Sequence, residues 1–100
     1  MRLFVILAAV FGVSDLAQAA RGSETCQAHA KLIAAELRAV ERYSGAHPLD
    51  MGEARFQSVL VSLIDGTTEE KDLARRVILS MQLSLQDGCR NLRKDLEALR

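Results

Sequence analysis

Cys26 and Cys89 are the only cysteines in the chain. They stand near the two ends of a stretch patterned as three helices, so whether they can be joined decides how those helices are arranged. The answer depends first on compartment. Arg2 is a short positive start, residues 3–13 (LFVILAAVFGV) are an uninterrupted apolar run, and Ala17-Gln18-Ala19 supplies small residues where a signal peptidase needs them. Residues 1–19 therefore read as a cleavable signal peptide. The run is shorter than the roughly 20 residues that span a bilayer. No cysteine follows the cleavage site directly, so neither a lipid anchor nor any other stable membrane anchor is expected after cleavage. Residues 20–100 form one domain by size. Outside the cytoplasm a single pair of cysteines reads as a disulfide rather than as two buried thiols. In the chain-entropy picture, closing so long a loop stabilises a small domain by about 4 kcal/mol.

One proline and four aromatic residues argue against a small β fold, and the punctuation is helical. Helix 1 is expected over residues 24–43, capped by Ser23 or Thr25 and ended by Gly45. Cys26, Ala30, Ile33, Leu37 and Val40 fall on one stripe, with steps of four and three. Pro48 enforces a loop over residues 44–49. Helix 2 is expected over residues 50–64, opened by Asp50 and Glu53 as a variant capping box. Residues 59–64 are apolar on nearly every side, a pattern that a strand and a buried helix share, and the caps at both ends decide for a buried helix. Helix 3 opens at a second capping box, Thr67 with Glu70. Its stripe runs through Ala74, Ile78, Met81 and Leu85, then Cys89, Leu92, Leu96 and Leu99. The pattern carries it to Leu99, about 48 Å, with a phase shift beside Gly88 where a break also fits.

The disulfide tests this arrangement. In an up-down-up bundle Cys89 would lie roughly 30 Å along helix 3 from the level of Cys26, whereas a disulfide needs Cα atoms within about 7 Å. Such a bundle is left only if the cysteines pair between chains. The preferred fold is an all-α, three-helix domain, with helix 1 antiparallel to a long helix 3 and helix 2 crossing them through Phe56, Leu60 and Leu63. Ala30 then faces Leu85, Ile33 lies near Met81, Leu37 near Ile78 and Val40 near Ala74.

Little in the sequence carries chemistry. Thirteen basic and thirteen acidic residues balance, so no global field draws nucleic acid. Arginine outnumbers lysine ten to three, a bias expected of a GC-rich bacterium and hence of a periplasm. Cys26-x-x-His29 has a metal-like spacing, but zinc needs three or four convergent ligands, and His47 is the only other histidine. No Cys-x-x-Cys is present for haem or thiol exchange. Ser44, Ser58, Ser62, Ser80 and Ser84 lie in no nucleophile elbow, and Ser80 and Ser84 read as small packing residues. Arg75-Arg76 and Arg90, Arg93 and Lys94 alternate with acids as a solvated face, with Asp72 and Arg76 placed to pair. No metal, cofactor or catalytic residue is expected, and the chain reads as a non-enzyme.

The general build is similar to that of small periplasmic acid-stress chaperones, with no diagnostic motif in common. The leading expectation is a periplasmic or secreted binding protein that acts as a partner, inhibitor or holdase through an apolar helical surface. Its rivals are a small-ligand or metal carrier and a structural subunit of an envelope complex. If Cys26 pairs with Cys89, an unbroken helix 3 outruns helix 1 and leaves Leu92, Leu96 and Leu99 bare. That stripe would dock a protein partner or a second copy of the chain. The alternative is that the tail turns at Gly88 and buries these leucines against helix 2. Protein recovered after export should begin at or near Ala20 and carry no alkylatable thiol by intact-mass spectrometry. A retained N-terminus or two free thiols would contradict this reading.

Overall fold

The computed structural model describes residues 23–100; the expected signal peptide lies outside them. The order is α1 (Ser23–Ser44), a 3-10 turn (Pro48–Asp50), α2 (Glu53–Ile64), α3 (Thr68–Gln86) and α4 (Leu92–Ala98). The stripe expected on α1 is the one it buries: Cys26, Ala30, Ile33, Leu37 and Val40 are all in the core. Gly45 ends the helix at φ +84°, donating its N–H to the Glu41 carbonyl at 2.8 Å. This left-handed conformation costs glycine nothing sterically.

Asp50 does not open α2. Pro48 and Leu49 are drawn into the core as a 3-10 turn, with His47 Nδ1 accepting the Leu49 N–H at 3.1 Å. The helix begins three residues later, with Gly52 as its N-cap. The Asp50 carboxylate is taken instead by Arg100, through contacts of 2.9 and 2.7 Å. Nor is α2 buried all round. Phe56, Leu60 and Leu63 pack inward as expected, while Val61 and Ile64 face out and Val59 is half-buried. The helix meets its main neighbour, α3, along one stripe only.

The capping box at α3 forms as the sequence predicts. Glu70 N–H donates to Thr67 Oγ1 at 3.2 Å, and Thr67 N–H donates to Glu70 Oε1 at 2.9 Å. Three side-chain links tie α3 and the turn that ends it to α1: Cys26 to Cys89, His29 Nε2 to Asp87 Oδ2 at 2.7 Å, and Ser80 Oγ to Glu36 Oε2 at 3.1 Å. As the α1 positions rise, their partners fall, so the helices are antiparallel. The buried face of α3 is rotated from the expected stripe. Leu73, Val77, Ser80 and Ser84 repeat with steps of four and three, with Ala74 and Met81 beside them, whereas Ile78 and Leu85 are only half-buried. Small hydroxyl side chains take core positions on α3, with Ser80 bonded to Glu36 of α1, and the larger Ile78 and Leu85 lie at the flank.

Helix α3 stops at Gln86 rather than continuing to Leu99. Gly88, at φ +76°, donates its N–H to the Leu85 carbonyl, and Cys89 donates to Ser84, each at 3.0 Å. This is the paired bonding of a Schellman motif. It reverses the chain, and the Cys26 and Cys89 Cα atoms come within 5.6 Å. The reversed segment forms α4, which packs on α1. Leu92 and Leu96 are fully buried there and Leu99 half-buried. The expected bare leucine stripe is thus corrected. These residues belong to the core, and it is α1, not α2, that α4 packs against. Two arginine bonds hold the segment: Arg93 of α4 donates to the Leu49 carbonyl at 3.1 Å, and Arg38 of α1 to the Leu99 carbonyl at 3.3 Å.

Candidate functional site

With Leu92 and Leu96 buried, the apolar surface lies elsewhere. Leu32 on α1 is 53% exposed, and Leu79 and Leu83 on α3 are 55% and 42% exposed. The antiparallel register sets Leu32 across the seam from Leu83, with Leu79 one turn along α3. Tyr43, 48% exposed, ends the same side of α1, where it flanks a shallow depression with Ala39, Arg42 and Arg76. Leu32, Leu79 and Leu83 lie just outside the buried stripes, whereas Tyr43 also borders a depression with Arg55, Ser58 and Val59 of α2.

Beneath this face lies Glu36. It is 8% exposed, and Ser80 bonds one of its carboxylate oxygens. The other, Oε1, is buried with no hydrogen-bond partner among the described residues. Burial pushes the carboxyl above its ordinary value, against the opposing pull of the Ser80 hydroxyl and the Arg76 charge. Arg76 does not make the expected ion pair with Asp72.

A second concavity, about 210 Å³, opens where α1, the 3-10 turn and α4 converge. Leu37, Leu49 and Leu96 close its floor, and Arg38, His47 and Arg100 reach its rim. It exists only because α4 folds back.

The residues weighed for other chemistry are dispersed. Cys26 is oxidised, His29 is bound to Asp87, and His47 caps the 3-10 turn beyond the far end of α1. Among the described residues no group of three or more histidine, cysteine or acidic side chains could hold a metal ion. Ser80 and Ser84 are packing residues in the seam, Ser58 and Ser62 are exposed on α2, and the Ser44 hydroxyl donates to the Ala46 carbonyl. Sequence reasoning missed the α1–α3 face, although Leu79 and Leu83 carry a signal: two leucines four apart, off the expected core stripe. No known protein family, curated protein or solved structure matches the chain.

The raised carboxyl of Glu36 fixes a pH dependence. Its contribution is full below the unfolded value near 4.5 and is lost as pH rises through the higher folded value. Glu36→Gln should therefore raise stability at neutral pH, by about 1 kcal/mol for relief of a buried, half-satisfied charge. The gain should vanish at about pH 4, where both forms are neutral. Urea unfolding at the two pH values measures it, and a variant less stable than the parent at neutral pH would contradict the assignment.

Proposed function

We propose that this chain is an exported binding protein that acts without turnover, as a partner, inhibitor or holdase, through the open face of the α1–α3 pair. The observation that carries the reading is the alignment of Leu32, Leu79 and Leu83, all more than 40% exposed, on one side of the molecule. Exposed apolar residues are usually scattered singly, and contiguous ones mark interaction sites. Each leucine gains roughly 1.5–3 kcal/mol on full burial, and these have part of that gain still to make. The disulfide and the absence, among the described residues, of a helix able to cross a membrane are compatible with a place outside the cytoplasm. The apolar signal run and the arginine bias support a periplasm.

A photo-crosslinking amino acid placed at Leu32, Leu79 or Leu83, in protein expressed with its own leader, tests the reading. Discrete adducts are expected from these three positions and none from Gln57, which is exposed on α2. Equal adducts from all four positions, or none from any, would contradict it.

A further inference from the structure

The geometry points to a binding site for a small apolar carboxylate in the cleft between α1, the Pro48–Asp50 turn and α4. Three side chains with N–H donors reach this cleft from three parts of the chain: Arg38 from α1, His47 from the entry to the turn, and Arg100 from beyond α4. They differ in how far they are already committed. Arg100 is held by Asp50 at 2.7 Å and lies 3.5 Å from Glu97. Arg38 makes one bond, at 3.3 Å to a backbone carbonyl, and has no carboxylate partner among the described residues. A guanidinium carries five donors in a planar fork suited to a carboxylate, so most of its capacity is unused. The Nδ1 atom of His47 accepts the Leu49 N–H. In the neutral ring the proton therefore sits on Nε2, which is left to donate.

The remaining lining sets the rest of the ligand. Leu37, Leu49 and Leu96 form a closed apolar floor, Leu99 is a half-buried wall, and Ala34 leaves space that a longer side chain would fill. An apolar floor beside donors at the rim suits a carboxylate with a short branched tail. Glu41 also lines the cleft, one turn from Arg38, and pairs with nothing among the described residues. Its charge has the same sign as the ligand's and repels it, so it should weaken the site. This cleft is separate from the α1–α3 face, and the two readings can fail independently.

The test is titration of the oxidised protein, after removal of its leader, with isovalerate, acetate and isopentylamine, followed by amide chemical shifts. Isovalerate should bind saturably, shift Ala34, His47 and Leu99, and bind at least about tenfold tighter than acetate. Arg38→Gln, which removes the charge and is too short to reach the Leu99 carbonyl, should weaken isovalerate about tenfold, the scale of one charge-assisted hydrogen bond, with the melting temperature reporting any loss of the Leu99 contact. Ala34→Leu should abolish binding with the melting temperature retained. Glu41→Gln should tighten it, and this variant and Arg38→Gln decide the matter if Ala34→Leu does not fold. Several results would overturn the proposal: no saturable binding, equal affinity for acetate, no effect of Arg38→Gln, preferred binding of the amine, or weakening by Glu41→Gln, which would mean that Glu41 holds a ligand ammonium.

Discussion

The turn at Gly88 is the constraint on which the rest of the molecule depends. A positive φ there lets two carbonyls at the end of α3 be satisfied by the N–H groups of Gly88 and Cys89. The same turn sets Cys89 beside Cys26. The disulfide then fixes the register of α3 against α1, which the His29–Asp87 and Glu36–Ser80 contacts continue along the pair. The reversal also sends Leu92 and Leu96 into the core, where full burial of each stabilises the fold by roughly 1.5–3 kcal/mol. The covalent link and the fold-back act together, because the cysteine that forms the link is the first residue past the turn.

Two surfaces follow from this arrangement. Where α1 meets α3, the buried stripe of α3 includes the small polar residues Ser80 and Ser84. Leu32, Leu79 and Leu83 fall just outside the buried stripes, over a carboxylate that the seam only half satisfies. Where α1 meets α4, the short returning helix does not fill the space next to Ala34. A small cleft remains between an apolar floor and arginines that also hold α4 down.

Much of the fold is legible in the residues. The α1 stripe, the Thr67–Glu70 box, the Gly45 stop, the inward face of α2 and the antiparallel choice forced by two cysteines all rest on local chemistry or simple geometry. What was hidden has identifiable causes. Ser80 and Ser84 are polar by type, so a reading that follows apolar residues turns α3 about its axis toward Ile78 and Leu85. Leu92, Leu96 and Leu99 continue a helical spacing across Gly88, and spacing cannot show that the chain has reversed between one leucine and the next. Asp50 resembles a cap, but the burial of Pro48 and Leu49 places it in a turn and gives its charge to Arg100. The cleft depends on residues more than fifty positions apart, Ala34 and Leu99 among them, and no local pattern announces it.

The central claim is that α4 is folded back on α1 as part of the core. Native-state hydrogen exchange of the oxidised protein tests it most directly. The Leu96 and Glu97 amides should exchange at least about a hundredfold more slowly than in an unstructured chain, with opening energies that approach those of α1. Exchange of these amides at the unstructured rate, with α1 and α3 still protected, would contradict the account.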